Sequence, residues 1–184
     1  LHDQQVHPKT ASGALRTWIG VGGSRQSVLR AATYGLPLML AIIGGDPARF
    51  APFAQQYRSA LAHLGNGLQP VGAHIPGHLA ADDQQARDEV WPHYAAMHAR
   101  IGRQRGWPPM TREQFDDATG PYGALMVGSP ATVAPRIARA IRALGLARFD
   151  LKYSAGTLPH AQLMRSIELY GTEVAPLVHE QLAD

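Results

Sequence analysis

The stretch "GVGGSRQSVLRAATYG", Gly20 to Gly35, holds the residues whose types and spacing point most directly to chemistry. Gly22 and Gly23 let a backbone come close to a ligand and expose successive N–H groups. Ser24 and Ser27, three apart, put two hydroxyls on the first turn of the helix that follows. The free N–H groups and positive dipole end of such a helix attract an anion, and a phosphate is the natural one. The same residues also suit a tight turn with Ser24 as an ordinary helix cap, and spacing alone leaves both readings open. A dinucleotide fingerprint is not met, because taking Gly20 and Gly22 as its first two glycines puts Arg25 in the third place. There is no G-K-[ST], so a nucleotide-hydrolysing loop finds no support.

Three other groups of residues have types that could carry chemistry. Gly44-Gly45-Asp46 repeats the glycine logic, but Asp46 before Pro47 reads as a helix cap rather than a ligand contact. His74 and His78 flank Pro76-Gly77, and Glu89, His93 and His98 follow on a helix. Glu89 stands where the first histidine of H-E-x-x-H should be, and a metal needs more ligands than this, so no metal site is expected. His78 is the one candidate for a pocket or proton-handling role, beside the plainer reading of a loop histidine. Lys152, Tyr153 and Ser154 end a strand. Alternation turns Tyr153 away from the other two, and the sequence does not say which set faces a pocket. No G-x-S-x-G is present, and the chain has no cysteine. Hydrolase triads, thiolate metal sites and a cysteine nucleophile therefore lack support.

These residues must be placed by a regular alternation of elements. "TWIGV" (Thr17–Val21) reads as a strand, followed by a helix with Val28, Leu29, Ala31 and Ala32 on one side and Gly35 as its stop. "LMLAII" has no polar alternation, as in a strand covered by helices on both faces. Phe50, Phe53, Ala54, Tyr57, Leu61 and Leu64 form a helical stripe. "QPVGAHIPGHLA" reads as a third strand plus a loop carrying both histidines. A long helix then starts at Asp82 or Asp83, and Pro92 should kink it. In the insertion at 107–123, Thr111 and Gln114 make a capping box. "ALMVGSP" leads into a helix with Ser129 as N-cap and Gly145 as stop. "RFDLKYSAG" is a fourth strand. The last helix carries Leu163, Met164, Ile167 and Tyr170 on its buried face.

Strand–helix alternation of this kind builds parallel sheets, open or closed into a (β/α)8 barrel. In both, the site lies at the carboxyl ends of the strands. The chain has 184 residues, 45% of them hydrophobic and 17% charged, which is ordinary composition for one globular domain. The net charge of +3 comes from arginines scattered along helical faces, so no nucleic-acid partner is expected. No apolar run approaches the roughly 18 residues of a membrane helix. The start, "LHDQQVHPKT", is polar and shows no signal peptide, and the chain begins with Leu, as a processed chain or fragment would. A cytoplasmic location is expected.

Three segments in order carry a resemblance to a known family. "GVGGSRQSVLRAATYGLPLMLAII" resembles the middle of bacterial luciferase and its relatives, the luciferase-like flavin monooxygenases. "VGSPATVAPRIARAIRALG" resembles the helix ahead of their last barrel strand, and "SAGTLPHAQLMRSIELYGTEVAPLV" is similar to their C-terminal helix. The likeness runs from about Thr17 to Val178. It implies a (β/α)8 TIM barrel, of which this chain supplies about four βα units, strands five to eight, with a helical insertion before the last. A full barrel takes about 250 residues. The chain would thus be a single domain over 1–184, the C-terminal half of a barrel behind a polar lead-in at 1–16.

The resemblance also implies reduced FMN as cofactor, with the deazaflavin F420 as the alternative. By position, Gly22, Gly23, Ser24 and Ser27 would hold the flavin phosphate. The implied reaction is oxygen insertion into a small organic substrate, with a separate flavin reductase as partner. Catalytic residues would lie upstream of Leu1, leaving this chain incomplete for catalysis. Rival readings are F420-dependent hydride transfer and a non-catalytic flavin-binding half barrel. Open sheet edges at Thr17–Val21 and Phe149–Tyr153 would invite pairing, including closure as a homodimer.

Overall fold

The structure, a computed structural model, describes residues 7–13 and 15–183. Most of the expected lead-in at 1–16 therefore lies within it, while residues 1–6 and 14 lie outside the described residues. Five strands and seven α-helices alternate. In chain order they are β1 (Ile19–Val21), α1 (Arg25–Thr33), β2 (Leu38–Ala41), α2 (Ala51–His63), β3 (Val71–Leu79), α3 (Asp83–Arg105), α4 (Arg112–Thr119), β4 (Met126–Gly128), α5 (Pro130–Leu144), β5 (Arg148–Lys152), α6 (His160–Leu169) and α7 (Ala175–Ala183). A 3-10 turn, Pro47–Phe50, opens α2, and a π-helical turn, Tyr170–Val174, joins α6 to α7.

Every strand pair is parallel. β1 lies beside β2 and β2 beside β3. The long β3 pairs with β5 over Gly72–Pro76 and with β4 over Gly77–Leu79. Among the described residues β1 pairs only with β2, and β5 only with β3, so both are edges, as expected.

Alternation sorts the two faces of the sheet. Val21, Leu38, Leu40, Ile42, Val71, Ala73 and Ile75 are buried against the helices, with Val28, Tyr57, Leu61 and Ile137 among their partners. At about 25 cal/mol per Å2 of apolar surface removed from water, this layer supplies most of the folding drive. The opposite face carries Met39, His74, Pro76, Asp150 and Lys152. A second cluster joins Ala86, Val90 and Tyr94 of α3 with Phe115 of α4 and Leu125 and Val127 around β4. It packs the insertion as a lobe of its own.

Stops and caps follow the chemistry of the residues. Gly35, Gly65 and Gly145 end α1, α2 and α5 with φ of 60°, 70° and 60°, conformations that glycine reaches without strain. Both capping-box bonds of Thr111 and Gln114 are present. α3 runs unbroken through Pro92.

Several expectations need correction. β4 is a strand that the pattern "ALMVGSP" did not reveal, because three residues carry no readable period. β3 extends to Leu79, so His74 and His78 lie inside a strand and not in a loop. Gly77 makes this extension work: a Cβ there would run into the Met126 carbonyl oxygen and a Leu151 methyl. Ser129 stands at the N-cap position of α5 but makes no side-chain cap bond. Asp83 braces this helix start from α3, accepting from Ser129 N at 2.7 Å and from Thr132 Oγ1 at 2.9 Å. Leu29 and Leu64 are exposed at the margins of their stripes. On α6, Met164 and Ile167 are exposed and Ser166 is buried instead, its Oγ accepting from Leu79 N at 3.0 Å. The docking face of α6 is thus set by the unpaired N–H at the end of β3 rather than by its apolar stripe.

Candidate functional site

The carboxyl ends of the strands bring together the phosphate-loop candidate, the ends of β2 and β5, and the middle of α3. β1 ends at Val21, and the chain turns through Gly22 and Gly23 into α1. Gly23 has φ of 113°, which side chains rarely adopt, and a Cβ at either glycine would meet nothing within 4 Å. Gly22, Gly23 and Ser24 are exposed, and Ser27 is half-buried. Ser24 caps α1 by accepting from Ser27 N at 3.3 Å. The N–H groups of the first turn have no intrahelical acceptor. Ser24 thus caps the helix as the sequence allowed, and the Cβ positions of Gly22 and Gly23 face open space.

Asp46 behaves as a cap, accepting from Ala48 N at 2.9 Å, and Arg139 Nη2 stands 3.4 Å from the same oxygen. That pair anchors the turn after β2 to α5.

His78 is fully buried under α3. Its Nε2 is 2.8 Å from Glu89 Oε2, and Gln85 Nε2 donates to Glu89 Oε1 at 2.7 Å. The imidazole thus ties β3 to α3. Its Nδ1 is buried without a hydrogen-bond partner. His93 Nδ1 lies 2.9 Å from Thr157 Oγ1 and links α3 to the loop after β5. Among the described residues no three His, Asp or Glu side chains gather as a metal site would require.

β5 stops at Lys152, so Tyr153 and Ser154 lie beyond the strand they were expected to end. Lys152 lines a groove, and Tyr153 is not among its lining residues and has 46% of its surface exposed. Lys152 Nζ donates to Ser154 O at 2.6 Å, and burial pushes its pKa below the ordinary lysine value. The groove that Lys152 lines is open, with a volume of about 300 Å3. Ile43 and Pro76 form its strand side, Met97 and Ile101 of α3 the other, and Trp107 and Met110 of the α3–α4 connection close the end. His98 stacks toward Trp107 at 5.7 Å between ring centroids, and Arg105 lies over the same indole at 5.1 Å.

Sequence reasoning did not single out this groove. Its aromatic residue lies in the insertion, and only the packing of α3 across the strand ends brings Trp107 opposite Lys152. The strand alternation around Lys152 was the one available signal.

A parallel α/β sheet with a glycine loop and an apolar groove at the same strand ends defines the class of fold. The family model described as luciferase-like monooxygenase matches residues 1–148. The chain belongs to the luciferase-like monooxygenase family. Among solved structures it is similar to monooxygenase RslO1 from Streptomyces bottropensis, at TM-score 0.68 and 21% identity over 88% of this chain and 47% of that one. The oxygenating constituent of 3,6-diketocamphane monooxygenase from the CAM plasmid of Pseudomonas putida, solved in complex with FMN, matches at TM-score 0.67 and 19% identity over 91% and 50%. A coenzyme F420 dependent tetrahydromethanopterin reductase from Methanopyrus kandleri matches at TM-score 0.59 and 17% identity over 86% and 50%. The chain spans about half the length of these three structures. A search of the curated proteins gave no significant match. Among the described residues, no helix is long and apolar enough to cross a membrane.

Proposed function

We propose that this chain forms the flavin-phosphate side of an FMN-dependent monooxygenase. The supporting observation is the loop after β1: exposed glycines, one at φ of 113°, with free space at both Cβ positions and a helix N-terminus behind them. Gly22 and Gly23 would offer backbone N–H groups, and Ser24 and Ser27 hydroxyls, to the phosphate. Ser24 can cap α1 and still donate its own hydroxyl hydrogen outward. Reduced flavin would supply two electrons to dioxygen, so that one oxygen atom passes to a small organic substrate and the other leaves as water. The groove beside Lys152 would hold that substrate and keep water from it. His78 would act through α3, fixing the wall that carries Met97 and Ile101. The reduced flavin would come from a separate reductase, and residues from the rest of a full barrel would complete catalysis.

Flavin titration tests the reading. FMN should bind at least ten times more tightly than riboflavin, which lacks the phosphate, and Gly23→Ala should remove the difference. Equal affinity for the two would overturn the phosphate assignment. The F420 alternative is supported by the similarity to the reductase from Methanopyrus kandleri. Preferential binding of F420 over FMN in the same titration would favour it.

A further inference from the structure

The groove beside Lys152 has a charge pattern that points to its ligand. Its walls are apolar, while its ionisable lining groups are Lys152, Arg105, His98 and Tyr94, with no carboxylate. The two cations are not equivalent. Arg105 already has a partner in the face of Trp107, at 5.1 Å. Lys152 has only one backbone carbonyl, Ser154 O, which leaves two of its three N–H donors unused. The carboxylate on the same face of β5, Asp150, is held by Arg148 at 2.7 Å. Among the described residues no carboxylate stands within ion-pair distance of Lys152.

A partly buried ammonium without a counter-ion is costly, and the cost is relieved when an anion arrives. We infer that the groove binds a small apolar monocarboxylate, its hydrocarbon body between Pro76, Met97 and Trp107 and its carboxylate on Lys152 Nζ. At roughly 30 Å3 per non-hydrogen atom, the share a water molecule takes in the liquid, about 300 Å3 admits about ten such atoms. That is the size of a phenylpropanoate or an eight-carbon fatty acid. The depressed pKa of Lys152 agrees with an amine short of compensating charge.

The inference rests on reading these strand ends as the active-site end, but not on flavin binding. Its test is made without flavin. Calorimetric titration of the whole chain with 3-phenylpropanoate and with the neutral isostere 3-phenylpropanamide compares one shape with and without charge. The acid should bind at least ten times more tightly than the amide. Lys152→Met should reduce that ratio to within twofold while leaving amide affinity nearly unchanged, and Trp107→Ala should weaken both ligands. Should Lys152→Met fold poorly, salt decides: raising sodium chloride from about 0.05 to 0.5 M should erode the acid's advantage and spare the amide. Equal binding of acid and amide, a preference that survives Lys152→Met, or no binding of either at 10 mM overturns the inference. A failed flavin titration with intact acid preference would overturn only the phosphate assignment.

Discussion

Arg136 carries more structural weight than its place on a helix suggests. It is 8% exposed and donates to three backbone carbonyls, Thr119 O at 2.9 Å and Gly123 O and Leu125 O at 3.0 Å. Burial, aided by the charges of Arg139 and Arg87, pushes its pKa down to about 10. Arg136→Met fills the space but strands those carbonyls, so urea unfolding should show a loss of about 3 kcal/mol. Asp83 gives a pH-dependent counterpart. Burial would raise its carboxyl, but bonds from Ser129 and Thr132 and the charge of Arg87 outweigh that and hold it below the ordinary value. A depressed carboxyl stabilises the fold above its unfolded pKa of about 3.9 and loses that contribution as pH falls through its folded pKa. Asp83→Asn should therefore cost about 1 kcal/mol at pH 7, and the gap from the parent should close in acid. Equal gaps at pH 7 and pH 3 would contradict the assignment.

At the scale of elements, β3 organises the molecule. It is the strand shared by β2, β4 and β5, and its last N–H donates to Ser166 Oγ of α6. At Gly77 the Met126 carbonyl oxygen of β4 and a Leu151 methyl of β5 leave no room for a Cβ. Gly77→Ala should cost about 2 kcal/mol through overpacking, read as a lower thermal midpoint. It should also raise hydrogen exchange at Met126–Gly128 before it does so at β2. Uniform loss of protection across the sheet would argue against a local β4 lever. The His78–Glu89 contact and the bonds of Asp83 to Ser129 and Thr132 work at the same scale. One ties α3 to β3 and the other ties it to α5, and between them they fix the helix that walls the groove.

For the molecule as a whole, strand edges are open to further pairing: among the described residues β1, β4 and β5 each pair with a single strand. Ile19 N bonds to Pro37 O at 2.8 Å, so by strand alternation the N–H and C=O of Gly20 point away from β2. An edge of this kind recruits another strand. The chain should self-associate as its concentration rises, and sizing with light scattering should show this. Gly20→Pro removes only the outward N–H and should return the chain to a monomer. An association unchanged by that substitution would place the contact elsewhere. Closure as a homodimer, β5 of each copy beside β1 of the other, remains a proposal that the same experiment addresses.

Much of this architecture was legible in the residues. The helix stripes, the glycine stops at Gly35, Gly65 and Gly145, the Asp46 and Thr111 caps and the unbroken apolar run of β2 are local signals. Each depends on contacts within one turn or one strand. The glycine–serine loop was also visible, because backbone freedom and capping belong to individual residues. Other features depend on which distant segments meet. β4 exists because Gly77 lets it approach β3. Asp83 braces the start of a helix it does not belong to, and Arg136 answers carbonyls 11 to 17 positions away. The face of Lys152 was undecided because alternation gives two faces and only packing shows which one lines the groove. The groove needed α3 laid across the strand ends to bring Trp107 to it. Sequence determined the elements and one candidate anion loop through short-range chemistry. The tertiary structure decided which side chains share a site, because that is set by long-range packing that no local period encodes.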